Sequence, residues 1–436
     1  MKFAPASLPY GFILGLTALT NAFSASNDRP VLHARVYNSE FAEGRATFNG
    51  MGIAHDGTIY YVITSESYNV AGQMFSLDPK TQKIAHLGDL TEVVGEKNAK
   101  VVAQGKSHVT FIEDNGMLYF STHLGYYHHV KGVERAGPPP NGYRSYQGGH
   151  FVSYDMKTRK FTDLATAPGQ EGIITMSMDV KRGRLYGITW PTGHFLRYDL
   201  KSKQLKDLGT LFQQGEVGEG PTYRTICRSI VIDPRDGSAY FTTGDGVIHR
   251  YCYDKDAIED VVGANLRKDY FGVYDPSAPG SMAYNWRKAV WDPSENVIYG
   301  VNGGSGYLFR FDPRALSVEV LDRLTSESSK KTGMSDHFRY GYLGFDLGPD
   351  GHTLYYLTGA PSFKDGKVDK TQENFDLVTY DIPNRKYVDH GRIVFQNGDH
   401  PRDINAIAVG LDGTVYTIAT IGPGKDARAD LISVHP

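Results

Sequence analysis

The chain has 436 residues, 40% of them hydrophobic and 22% charged, an ordinary balance for a folded globular protein. A formal net charge of −3 excludes the global basic field that nucleic-acid binding requires, so any anionic ligand must be met by a local basic cluster. The excess lies in 49 glycines and 29 tyrosines, which favours short strands joined by tight turns.

In chain order the first element is a leader. Lys2 supplies a positive end, Gly11 to Leu19 an apolar core, and Ala22-Phe23-Ser24 small residues at both cleavage-determining positions, the pattern of an export signal over residues 1–25. The apolar run is too short to span a bilayer, and no later run is longer. A secreted or periplasmic protein with no membrane span is expected, with residues 26–436 as a single domain.

The rest of the chain repeats. A turn and a tyrosine-rich strand recur at His55, Asp114, Lys181, Pro234, Ser294, Gly348 and Leu411. Asp-Gly and Asn-Gly provide the positive φ that tight hairpins need. After each of the first six comes an aromatic strand with an aspartate at or near its end, at Asp78, Asp155, Asp199, Asp254, Asp312 and Asp381. A fourth strand often ends near Asp-Leu-Gly, as at Asp207-Leu208-Gly209. The pattern predicts an all-β, seven-bladed propeller of four-stranded antiparallel blades. The last unit stops at Leu431–Val434, and the free segment Val31–Tyr37 is expected to complete it and remove an open edge. The longest irregular stretch, Leu124 to Gly149, interrupts the second unit between its second and third strands. Cys227 and Cys252 fall on strands of one blade with another between them. Twice the strand spacing of about 4.8 Å exceeds the limit of roughly 7 Å for a disulfide, so no bond is expected.

In a propeller the start of each inner strand and the loop after each second strand open on one face. Those places hold Lys106, His108, His123, His128, His129 and His150 in the second unit, Trp190 and His194 in the third, and Tyr223, Arg224 and Arg228 in the fourth. The fifth gives Asn285, Arg287 and Asn302, the sixth His337, Arg339 and Tyr340, and the seventh His400, Arg402 and Asn405. A basic, hydrogen-bonding canyon suits a carboxylated or sulfated ligand. The same residues could instead only satisfy channel backbone and water.

The chain has no Gly-x-Ser-x-Gly elbow, no His-Glu-x-x-His and no phosphate-binding loop. The canyon lacks the carboxylate pair of an ordinary glycoside hydrolase. His, Tyr and Arg suit β-elimination on a uronic-acid polysaccharide. Arg neutralises the uronate carboxylate, while His and Tyr remove the C5 proton and protonate the departing O4.

Gly105-Lys106-Ser107-His108, Ser121-Thr122-His123 and Tyr146-Gln147-Gly148-Gly149-His150-Phe151 resemble the ulvan lyases of polysaccharide lyase families 24 and 25. The resemblance implies a lyase acting on a sulfated uronate polysaccharide and giving unsaturated products. By position it implies catalytic His123 and His150, with Tyr223 as the tyrosine and Tyr143 or Tyr186 as alternatives. It implies a neutralising arginine among Arg224, Arg228 and Arg287, and substrate contacts from these and from Asn285, Arg339 and Tyr340. It also implies a structural zinc, for which Cys227, His337 and His400 are the candidate ligands; no cofactor is needed for the chemistry. An anionic polysaccharide is the expected partner of a monomer, and nucleic acid is not. The other readings are a non-catalytic anionic-glycan-binding propeller and a metal-dependent oligogalacturonate lyase.

Overall fold

A computed structural model describes residues 30–46, 48–130, 133–279, 282–327, 330, 344–364 and 367–436. The export signal read over residues 1–25, together with His337, Arg339 and Tyr340, lies outside them. No helix among the described residues is long and apolar enough to cross a membrane.

The chain forms seven antiparallel blades in a closed ring, as the repeat predicts. Every second strand begins after one of the seven turns read in the sequence: Ile59–Ser65, Met117–Ser121, Arg184–Trp190, Ala239–Thr242, Val297–Asn302, Thr353–Lys364 and Val415–Ile421. Where their side chains are described, these strands are mostly buried on both sides, because each blade is sandwiched between two others. The recurring aspartate has a local job. Asp78, Asp155, Asp199, Asp312 and Asp381 each accept backbone N–H groups two or three residues ahead. They thereby close the turn between third and fourth strands. Asp254 lies just beyond its strand, Val247–Cys252.

The Asp-Leu-Gly ending also has a cause. In blades one to six the third and fourth strands slip register near the end that leads off the blade. In blade three Asp207 Oδ1 accepts the N–H of Gly209 at 2.8 Å, and Gly209 has φ of 84°. The bulge needs a residue that tolerates positive φ.

Ring closure differs in one respect from the expectation. Arg35–Tyr37 pairs antiparallel with Arg428–Val434 and completes blade seven. Val31–His33 instead runs parallel to Lys386–Val394 on the outer edge of blade six. The chain crosses between blades at Ala34, whose N–H reaches Val394 O at 2.7 Å. One segment thus covers the edges of two blades. Both cysteines are free. The long insertion in blade two carries a hairpin of its own, Tyr127–Val130 with Val133–Ala136.

Candidate functional site

The strand registers fix the face. Gly172, at the start of an inner strand, lies opposite Trp190 at the end of a second strand, and Trp286 lies opposite Asn302 in the same way. Lys106 and His123 form an isolated backbone bridge with N–H···O distances of 3.0 and 2.8 Å. The two sets of positions named from the sequence therefore do meet on one rim.

Among the described residues they do not form one site. A compact group assembles in blades two to four around His123, which is fully buried. Its ring lies 5.6 Å from that of Trp190, 6.3 Å from Tyr127 and 6.4 Å from His108. His123 Nδ1 lies 3.5 Å from the Tyr127 hydroxyl, which itself donates to Leu124 O at 2.9 Å. His123 Nδ1 is therefore the donor in this contact, which places the lone pair on Nε2, and Nε2 has no hydrogen-bond partner. His108 Nδ1 lies 2.9 Å from Ile174 O and donates to it. Burial, then the charges of Lys106 and Arg228, hold both imidazoles well below the usual histidine range. Both are neutral bases at pH 7.

Lys106 is the cation that acts most strongly on both rings. Its Nζ lies 3.7 Å from the Phe48 ring centroid and 4.6 Å from that of Tyr127. Burial lowers its pKa to about 7, Arg228 adds to the fall, and Glu134, Glu66 and Glu216 oppose it.

Arg228 is held rather than open. Its Nη2 donates to Glu216 Oε1 at 2.7 Å, and its Nη1 to Ile226 O at 2.7 Å. Burial works against its charge, and Glu216 more than offsets that. Glu216 also accepts from Trp190 Nε1 at 2.8 Å and from the Ile226 N–H at 3.0 Å. Tyr223 is buried just after the short turn Gly220–Thr222 and lies within electrostatic reach of Arg228. Arg224 donates to Pro221 O and Tyr223 O and lies 3.6 Å from Asp245. Arg287 is buried close enough to lower the proton affinity of His108. The blade-two hairpin covers the group, and Arg135 ties it down by donating to Glu216 O at 2.6 Å.

His150 lies elsewhere. Its backbone N–H donates to Thr122 Oγ1, and Thr122 and His123, adjacent in an extended segment, point to opposite sides. His150 Nδ1 sits 3.0 Å from Asp163 Oδ1, and its Nε2 lies 3.7 Å from Glu96 Oε1. Burial disfavours its charge, but the two carboxylates outweigh burial and raise its pKa to about 9. The arrangement repeats: His194 meets Asp207 at 2.8 Å and His249 meets Asp260 at 2.9 Å. The three aspartates occupy equivalent places on the fourth strands of blades two, three and four. His150 belongs to a row that pins outer strands together, not to the group around His123.

Other residues named from the sequence are also occupied. Asn285 accepts from Thr242 Oγ1 and donates to Thr225 O. Asn302 closes a turn with Gly304 and Ser305. Tyr186 is a core ring beside Phe195 and Tyr251, and Tyr143 packs edge-on against Tyr68. Cys227 is fully buried, its Sγ 3.2 Å from Ser229 O. His400 is half-buried, and His337, the third zinc candidate, lies outside the described residues. No group of three His, Cys, Asp or Glu that could hold a metal occurs among the described residues. His128 and His129 are exposed on the hairpin.

The sequence did not single out Phe48, Tyr127 and Glu216. Tyr127 stands in the run Tyr126-Tyr127-His128-His129 of the long loop, and that run is a signal. Glu216 sits in a glycine-rich connection and gives none.

No protein-family model matches the sequence, and no curated protein matches it. Similar solved structures include a chain of "Crystal Structure of Mitotic Checkpoint Complex", at 11% identity over 100% of both chains with a TM-score of 0.48. Another is "YCF48 bound to D1 peptide", at 11% identity over 94% of this chain and 97% of that one, with a TM-score of 0.49. The chain is a seven-bladed β-propeller.

Proposed function

We propose that this propeller is a secreted polysaccharide lyase that cleaves a sulfated uronic-acid polysaccharide of the ulvan type by β-elimination. One observation carries the reading: a buried neutral histidine, His123, with a free Nε2 lone pair, within electrostatic reach of Arg228 and with the Tyr127 ring beside it. Neutral imidazole is the form that accepts a proton. In the proposed step His123 takes the C5 proton and the C5–H electron pair becomes the C4=C5 bond. The C4–O4 bond breaks, and Tyr223 gives its phenolic proton to O4. Arg228, Arg224 or Arg287 faces the uronate carboxylate and stabilises the negative charge that develops at C5. His150, Asn285, Arg339 and Tyr340 remain supporting residues in this proposal, and Cys227, His337 and His400 a structural zinc set to be tested by metal analysis. The deciding assay is ultraviolet absorbance of unsaturated uronate on ulvan. Hydrolytic products without that absorbance contradict elimination.

Full burial of His123 favours a second reading. Tyr127 and Trp190 pack against its ring, so a polysaccharide reaches it only if the Tyr127–Ala136 hairpin shifts. A propeller that binds an anionic glycan without cleaving it needs no such shift. Tight ulvan binding with no product establishes that reading.

A further inference from the structure

Buried lysines outside ion pairs are costly, and Lys106 is 3% exposed. The described residues place no carboxylate oxygen within ion-pair distance of its Nζ. The nearest partners are the faces of Phe48 and Tyr127. Aromatic faces steady an ammonium through their quadrupole. Unlike a carboxylate, they do not lock its proton in place. The backbone of Lys106 is bridged to that of His123 in both directions. Tyr127 is shared: its ring lies against the amine and its hydroxyl against His123 Nδ1. Backbone pairing and the shared Tyr127 thus put the amine and the imidazole on one patch of the rim.

We propose that Lys106 is the proton acceptor that re-arms His123 after each elimination. The inference rests on the lyase reading and adds a residue to it. When the C4=C5 bond forms, His123 Nε2 holds the C5 proton and Tyr223 has lost its own to O4. The imidazolium is left among cations and away from water, where it is least stable. The flexible lysine stem swings its amine onto the ring, the Nε2–H bond of the imidazolium breaks toward the neutral Lys106 amine, and an N–H bond forms on Nζ. Lys106 releases that proton to solvent, and the Tyr223 phenolate takes one back. One proton leaves C5, one ends on O4, and no oxidant or reductant is consumed. The charged groups around the amine are suited to this traffic. Glu134 of the hairpin, Glu216 of the blade three–four connection and Glu66 of blade one favour the ammonium, while Arg228 of blade four opposes it, and so does burial. The neighbouring His108 and His123 are both neutral. The balance leaves a group that both takes and gives a proton near pH 7. Lys106 is a relay residue, and it need not touch the polysaccharide.

The test is Lys106→Met, which keeps the apolar stem, assayed on ulvan beside the wild-type protein. A relay acts after the bond has broken. The first turnover should therefore survive as a burst of one unsaturated product per protein molecule. Steady-state kcat should fall about tenfold to a hundredfold, by analogy with other single proton-transfer groups, while kcat/KM stays within about twofold because elimination itself is untouched. Adding imidazole or a small primary amine should restore kcat in proportion to its free-base concentration. Loss of the burst together with kcat/KM overturns the inference, as does an unchanged kcat. A kcat that falls with no rescue by any small base overturns it too. Circular dichroism and a melting curve check that Lys106→Met is folded, and Lys106→Arg provides a second variant. Arg keeps the charge but cannot release its proton near pH 7, so it should show the same burst and the same rescue. If the wild-type protein yields no unsaturated product from any uronate polymer, the lyase reading fails first, and this inference goes with it. If the wild type is active and Lys106→Met behaves like it, only the relay fails.

Discussion

Two sets of histidines stand on the same rim and do opposite things. His108 sits before the inner strand of blade two and His123 just after its second strand, and burial with Lys106 and Arg228 keeps both neutral. His150, His194 and His249 sit on third strands, each with an aspartate of the neighbouring fourth strand at 2.8–3.0 Å. Even within that row the balance varies. His150, with Asp163 and Glu96 both in contact, is raised to about 9, whereas the buried His249, with Asp260 in contact and Asp245 acting only through its charge, is lowered because desolvation wins. Residue type alone therefore says little about a histidine in a propeller. What separates the sets is repetition: a contact built alike in three blades reads as architecture, and a cluster built once from several blades reads as a site.

Five substitutions test that division, from the largest expected effect to the smallest, and a sixth reverses its pH sign. Glu216→Ala strips the carboxylate from Arg228, Trp190 and the Ile226 N–H. Breaking a buried ion pair from one side costs about 3–5 kcal/mol, so it should lower the melting temperature most. A small change would mean that Arg228 finds water or another partner. His123→Ala should cut turnover on ulvan by about a hundredfold or more, with Tyr223→Phe in the same range. Near-normal rates in either remove that residue from the chemistry.

His150→Gln tests the other set. A pKa raised in the folded state contributes stability that is fully present below the unfolded value of about 6.5 and is lost as pH rises through about 9. The variant should melt well below the wild type at pH 6 and near it above pH 9, with turnover reduced far less than in His123→Ala. Equal loss of activity in the two variants would place His150 in the site after all. His194→Ala removes a half-exposed pair and should cost no more than about 1 kcal/mol, with activity within about twofold. Lys106→Met carries the opposite pH sign. The folded pKa of this lysine lies near 7, below the unfolded value of about 10.4, so the destabilising effect of the amine is full below pH 7 and fades as pH rises toward that value. The gain in melting temperature should be greatest near pH 6.

Much of this was legible in the chain. Seven turns with Asp-Gly or an equivalent, each before a tyrosine-rich strand, specify seven hairpins because positive φ and strand alternation are local properties. The recurring aspartates were legible for the same reason: Asp78 and Asp312 bond to backbone only two or three residues ahead. The convergence of inner-strand starts and second-strand ends followed from topology, and it placed Lys106 and His123 together. The division of Val31–Tyr37 between two blades was not legible, because it depends on which edges the ring leaves open. Nor was the charge of any histidine. His123 and His150 are both buried in blade two, and they differ through Asp163, Glu96, Lys106 and Arg228, residues brought up by other strands and loops. Sequence determined the repeat and the rim because short-range backbone chemistry sets them. Tertiary structure decided which histidine is a neutral base and which a fixed cation, since that turns on burial and on charges distant in the chain.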